Sequence, residues 1–237
     1  MELKSQEQLK RDVAQAAVTY IRPFFGEQAV IGVGTGSTAD LFIDELAKYK
    51  SEFAGAVASS ERSAARLRQH GVRVLDLSET DRPLPVYVDG ADEINPLLQM
   101  VKGGGGAHTR EKIVAAASER FVCIVDETKC VDLLGEFAVP LEVIPMAVPI
   151  VIRKIAALGA TATLRPGFTT DNGNPILDVA GLRLADAREM ETTMNAIAGV
   201  VTCGLFALEP ATVVMVAKQQ GVDIRESECH IPVTERS

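Results

Sequence analysis

Two patterns of apolar spacing alternate along the chain. Leu9, Val13, Ala16, Ala17 and Tyr20 recur at helical intervals, which predicts a helix with one buried face. Ser5 with Gln8 three residues later is a capping-box pattern that starts this helix, and Pro23 lies just past its end. The second pattern is the short run with no polar position, as in residues 29–33. Such a run suits a strand buried on both faces. The turn Gly34–Thr38 follows, then a helix through Leu41, Phe42, Leu46 and Ala47. The same reading predicts strands at 54–58, 72–75, 86–88 and 121–125, and helices at 60–70 (closed by Gly71) and 109–118. Strands alternating with helices predict an α/β fold, a mostly parallel sheet flanked by helices on both faces.

After Lys129 the pattern changes. Pro140, Pro145 and Pro149 punctuate the chain, and 150–158 and 186–198 read as helices. The runs 160–164 and 176–179 flank Asp171-Asn172-Gly173-Asn174, and an Asn-Gly step between β-like runs is a hairpin signal. The order strand, helix, strand, strand, helix, strand predicts a small α+β domain. The chain is expected to return to the main sheet near 200–208 and 212–216. The polar residues 223–237 are expected at the surface.

Composition narrows the classes. The 237 residues are 47% hydrophobic, which excludes a largely disordered chain. No apolar run approaches the roughly 20 residues of a membrane-spanning helix. The start, MELKSQEQLKRDV, lacks an apolar signal-peptide core, so a cytoplasmic location is expected. A formal charge of −8 argues against nucleic-acid binding, so an anionic ligand has to be attracted by local geometry. The four cysteines include no C-x-x-C pair, the three histidines are scattered, and G-x-S-x-G is absent. Neither a zinc site nor a serine hydrolase is indicated. Carboxylates, lysines and backbone amides remain as the chemical groups.

Four segments concentrate such groups. In Gly32–Ala39, glycines let the backbone approach a ligand, a helix N-terminus offers its N–H groups, and Thr35, Ser37 and Thr38 add hydroxyls. This suits a phosphate. It also contains G-x-G-x-x-A, but a dinucleotide site wants an acid after the next strand, where only Glu61 is near. Val88–Glu93 places Asp89, Asp92 and Glu93 at the carboxyl edge of the sheet, where open α/β sheets bind ligands. A solvated loop or a divalent metal site is the alternative there. In Lys102–Lys112, four consecutive glycines precede a helix with Thr109 as the expected N-cap and Glu111 in its first turn. The helix dipole lowers the pKa of such a carboxylate, nearby acids raise it, and one balanced between them can act as a general base. His108 beside the loop reads as structural. Val125–Lys129 brings Lys129 to a strand end, and Lys10 is a second lysine candidate.

Together these segments resemble one family, A-type ribose-5-phosphate isomerase. The matching stretches are GVGTGSTA (32–39), VDGADEI (88–94), KGGGGAHTREKI (102–113), VDETK (125–129), IPMA (144–147), TDNGNPILD (170–178) and GVVTCGLFA (199–207). The resemblance implies a Rossmann-like domain over 1–130 and 208–237, and a smaller α+β, ferredoxin-like domain over 131–207. It implies interconversion of ribose 5-phosphate and ribulose 5-phosphate in the pentose phosphate pathway by a homodimer, without metal or cofactor. Its substrate loop falls on Thr35, Gly36, Ser37 and Thr38, and its acidic loop on Asp89, Gly90, Ala91 and Asp92. Its lysine–glycine loop falls on Lys102, Gly103, Gly104 and Gly105. The proton-transferring glutamate falls on Glu111, the further substrate lysine on Lys129 and the phosphate-side lysine on Lys10. Three features depart from the family pattern: a longer link at 23–28, Gly106 and His108 in place of alanine and an aliphatic residue, and a longer C-terminal tail.

Three rival readings compete with this one. A sugar-phosphate sensor would need a DNA-binding element, for which this acidic chain has no room. A nicotinamide-dependent oxidoreductase lacks the expected acid. An amino-sugar phosphate deaminase is separable by substrate assays.

Overall fold

The computed structural model describes residues 3–182 and 184–227, which form two compact units. The first comprises residues 3–90, 110–128 and 211–227, and the second residues 91–109 and 129–210. Residues 91–109 therefore belong with the smaller unit, whereas the sequence reading placed them in the main domain.

The larger unit is built on β1 (Gly26–Val33), β2 (Phe53–Ala58), β3 (Tyr87–Asp89), β6 (Phe121–Asp126), β12 (Val213–Lys218) and β13 (Gly221–Glu226), in the order β13-β12-β6-β3-β1-β2. All pairings are parallel except β12 with β13. Helices α1 (Gln6–Ile21), α2 (Ser37–Leu46) and α3 (Glu61–Gln69) belong to this unit. α1 buries Leu9, Val13, Ala17, Val18 and Ile21 in a core with Ile31, Val33, Phe42, Val88, Ile124 and Met215. Each large aliphatic side chain buried there contributes roughly 1.5–3 kcal/mol. Ser5 caps α1 by accepting from the Gln8 amide, but the Gln8 side chain donates to Asp12 at 2.9 Å, so only half of the capping box forms.

Two expectations for this unit need correcting, and a third holds in part. β1 begins at Gly26, three residues before the predicted start. The strand expected at 72–75 is reduced to one bridge, Val74 beside Ala56. Of the residues expected at the surface, Ile224, Arg225 and Glu226 are exposed as part of edge strand β13, while the tail from 228 lies outside the described residues.

The smaller unit contains a four-stranded antiparallel sheet of β7 (Val139–Val143), β8 (Thr161–Leu164), β9 (Ile176–Ala180) and β10 (Val200–Cys203), ordered β10-β7-β9-β8. Its helices are α5 (Val148–Ala157) and α6 (Ala187–Asn195). This is the predicted strand–helix–strand–strand–helix–strand order, with Leu141, Val151, Ile155, Leu177, Met194 and Cys203 in its core. A further antiparallel sheet joins β4 (Glu93–Ile94), β5 (Met100–Val101) and β11 (Leu205–Phe206). Residues 200–206 thus stay in the smaller unit, and of the two runs expected to rejoin the main sheet only the second does, as β12. α4 (His108–Ala116) follows the glycine loop.

Candidate active site

In the larger unit the loop after β1 is fastened on every side. The Gly34 amide donates to Val88 O at 2.9 Å, and the Gly34 carbonyl accepts from Ser63 Oγ at 2.7 Å. The Thr35 amide donates to Asp89 Oδ1 at 3.0 Å, and Thr35 Oγ1 accepts from Ser60 Oγ at 2.9 Å. Gly36 is the N-cap of α2 with φ +111°, a conformation that favours glycine. No side chain caps α2, so its first turn offers amides beside the exposed Ser37 and the half-buried Thr38. Lys10 Nζ on α1 donates to Ser37 Oγ at 2.9 Å. Lys10 and residues 35–38 therefore gather at one end of α2.

Asp89, at the end of β3, is fully buried. Its Oδ1 also accepts from the Gly90 amide at 2.7 Å, and its Oδ2 accepts from the Tyr87 hydroxyl at 2.5 Å. Glu111 is buried in the first turn of α4. Burial, followed by the charges of Asp89 and Glu111, holds the Tyr87 hydroxyl well above the usual tyrosine range. Both acids therefore act on the same buried phenol. Gly34 is glycine for lack of space: a Cβ there would lie 1.9 Å from Asp89 Cγ.

The smaller unit holds the other candidates. Asp92 Oδ2 accepts from the Gly104 amide at 2.8 Å, next to Ala91 at the start of the unit. Lys102 is buried, with its amide bonded to Gly204 O at 2.8 Å and its Nζ 5.5 Å above the Phe206 ring. Gly103 is buried with φ +105°, whereas Gly104 and Gly105 are exposed. Gly106 has φ +79°, and a Cβ there would lie 2.2 Å from Phe168, which accounts for glycine at this departure from the family pattern. Lys129, half-buried, ends a short 3-10 turn after β6. Glu93 is buried, and its carboxylate accepts from the amides of Gly135 and Phe137, so this third acid ties down a neighbouring loop.

Two further expectations change. α4 starts at His108, one residue earlier than predicted, and the Thr109 hydroxyl donates to Glu142. His108 is buried, with Nε2 3.2 Å from the Glu142 amide nitrogen. Glu61, the acid weighed for a dinucleotide, forms an ion pair with Arg110 at 2.9 Å. Both line a cleft of about 500 Å³ bounded by α3, α4 and residues 74–79, which includes none of the predicted site residues.

Sequence reasoning missed Tyr87, Glu142 and Arg165. Glu142 stands in an otherwise apolar strand run, and a charge in such a run has to be paired. That was the available signal.

Known proteins resemble this chain over most of its length. The family model for ribose 5-phosphate isomerase A (phosphoriboisomerase A) matches residues 55–221. A ribose-5-phosphate isomerase A from Bordetella petrii is 59% identical over 218 residues, 92% of this chain and 96% of that one. A crystal structure of ribose 5-phosphate isomerase A from Neisseria gonorrhoeae matches with TM-score 0.91 and 43% identity, covering 95% of this chain and 99% of that one. A D-ribose-5-phosphate isomerase solved in complex with phospho-erythronic acid matches with TM-score 0.86 and 36% identity, covering 95% and 100%. The chain belongs to the ribose-5-phosphate isomerase A family.

Proposed function

We propose that this isomerase interconverts D-ribose 5-phosphate and D-ribulose 5-phosphate through an enediolate, with Glu111 as the proton-transferring base. In the open-chain aldose the Glu111 carboxylate takes the C2 proton, charge moves to the C1 oxygen, and Glu111 returns the proton to C1. A hydroxyl proton passes from O2 to O1, so no atom is gained or lost. The Lys102 ammonium and the amides of Gly103, Gly104 and Gly105 stabilise the developing charge. Asp89 transfers the proton in ring opening, and Asp92 orients hydroxyls or Lys102. Thr35, Gly36, Ser37 and Thr38 hold the phosphate with Lys10, Lys129 contacts substrate, and Gly90 and Ala91 let it approach. The route calls for no metal or cofactor. A cytoplasmic homodimer of the pentose phosphate pathway is the setting implied by the family resemblance.

One observation carries this reading. Asp89 accepts from the Thr35 amide of the glycine loop, and its charge and that of buried Glu111 both reach the Tyr87 hydroxyl. A phosphate-type loop and two acids are thus organised within one unit. The related isomerase solved with phospho-erythronic acid adds support, because the planar carboxylate of a phosphorylated sugar acid resembles an enediolate. The test is Glu111→Gln, assayed for ribulose 5-phosphate formation with EDTA present. Loss of a general base is expected to lower kcat by about 10²–10⁴-fold with the fold retained. Activity like that of the wild type removes Glu111 from this role.

A further inference from the structure

We propose that Glu142 is a positioning residue for the isomerisation, because its carboxylate joins Thr109 and the turn at 170–174 in one buried hub that fixes the first turn of α4, from which Glu111 projects. The inference rests on Glu111 being the base.

The hub is dense for a single carboxylate. Glu142 is fully buried next to the last residue of β7. Its Oε2 accepts from Thr109 Oγ1 at 2.5 Å. Its Oε1 accepts from Thr170 Oγ1 at 3.0 Å and Asn174 Nδ2 at 2.8 Å, and Asn172 Nδ2 lies 3.2 Å from both oxygens. Burial pushes the carboxyl upward, but the hydrogen bonds from Thr109, Asn174, Asn172 and Thr170 bring it below its ordinary value. The backbone amide of Glu142 donates to Nε2 of His108 at 3.2 Å. One strand residue therefore holds the side chains of the first two residues of α4.

The β8–β9 connection grips the preceding glycine loop as well. Arg165 donates to the carbonyls of Gly103 and Gly104 at 3.2–3.3 Å while paired with Asp178 at 2.5 Å. Phe168 fills the space that a Cβ on Gly106 would need. The turn that ends in the hub is braced by Thr170, whose Oγ1 accepts from the amides of Asn172 and Asn174.

Stability alone does not call for such an arrangement. An ionised group is expensive to bury, and an apolar side chain of similar volume would often hold the site as well. A carboxylate adds direction, because each donor has one place to point. A base that must meet one C–H bond gains from this, since a misplacement of about 1 Å can cost on the order of 10²-fold in rate.

The experiment compares Glu142→Gln, Thr109→Val and Thr109→Ser by steady-state kinetics, well below each variant's thermal midpoint. Thr109→Val keeps shape and removes the donor, while Thr109→Ser keeps the donor. Both Glu142→Gln and Thr109→Val are expected to lower kcat by about 10- to 100-fold with KM within about threefold. Thr109→Ser is expected to restore kcat to within about twofold of the wild type. If Glu142→Gln does not fold, the two Thr109 variants decide. A lower melting temperature with unchanged kcat in Thr109→Val overturns the proposal and leaves a purely structural hub. Glu111→Gln is run in parallel. Activity in that variant sinks the base assignment and this inference together. Its inactivity beside an unchanged kcat in Thr109→Val sinks the inference alone.

Discussion

Three glycines at the start of the main sheet form a graded test of what holds the acidic loop. A Cβ at Gly26 meets nothing within 4 Å, one at Gly32 lies 3.0 Å from Tyr87 Cδ2, and one at Gly34 lies 1.9 Å from Asp89 Cγ and Oδ1. None of the three has a positive φ, so space rather than backbone conformation separates them. Gly26→Ala is expected to be neutral or to stabilise by about 0.4–1 kcal/mol, through the unfolded chain. Gly32→Ala is expected to cost about 1 kcal/mol, because the Tyr87 Cα beside it is backbone and yields little. Gly34→Ala forces the Asp89 carboxylate to move by more than an ångström. It then loses one or two of its bonds from Thr35, Gly90 and Tyr87. At about 1.5–3 kcal/mol for each hydrogen bond to a charged group, the expected loss is about 3 kcal/mol. For a chain of this length that lowers the thermal midpoint by about 6–12 °C. KM for ribose 5-phosphate is expected to rise with it, because Asp89 orients the Thr35 amide. Melting followed by circular dichroism, with kinetics on the same samples, reads both. If Gly34→Ala melts within about 2 °C of the wild type with unchanged KM, the space argument is wrong.

Two further expectations follow. Burial and then the charges of Asp89 and Glu111 disfavour ionised Tyr87 in the fold, so its contribution is intact below the ordinary tyrosine value of 10.0 and declines as pH rises above it. In an alkaline titration at about 295 nm, one of the three tyrosines should therefore ionise only as the chain unfolds, and complete ionisation in folded protein refutes this. Lys10→Met and Ser37→Ala, which break the 2.9 Å contact at the head of α2, should each raise KM about tenfold with kcat within about threefold, and an unchanged KM moves the phosphate elsewhere.

The parts of the fold readable in the sequence are those with many repeats of one period. α1 shows its buried stripe over four turns, and β6 is apolar at every position from Phe121 to Val125. β4, β5 and β11 have two residues each, too few for any period to emerge; β4 and β5 pair locally, and β11 joins them from far along the chain. That is why 91–109 was read with the wrong unit. The glycine loops were legible because glycine runs have few structural uses. Most of the Asp89 and Glu142 bonds were not legible, because their donors are supplied by residues tens of positions away and by backbone amides without a signature. The Asn-Gly step did mark a hairpin, but its loop spans 165–175, since the turn there also serves the Glu142 carboxylate.

The net charge of −8 sets a problem for an enzyme acting on a sugar phosphate, and the groups nearest the α2 loop bear on it more than the total does. A unit charge 20 Å away acts on another with only about 0.2 kcal/mol in water. Physiological salt screens exposed charges beyond about 8 Å, so exposed carboxylates farther away than that have little influence at the loop, and Asp40 in the first turn of α2 is paired with Arg62. Within that radius the balance is different. Lys10 reaches Ser37, and the first amides of α2 carry the positive end of the helix. Asp89, the acid bonded to this loop, has its charge met by the amides of Thr35 and Gly90 and by the Tyr87 hydroxyl. Removing any of these donors would leave a less compensated carboxylate beside the loop proposed to hold the phosphate. If the α2 loop holds the phosphate as proposed, the Asp89 bonds serve the placement of an acid and, at the same time, the admission of an anion.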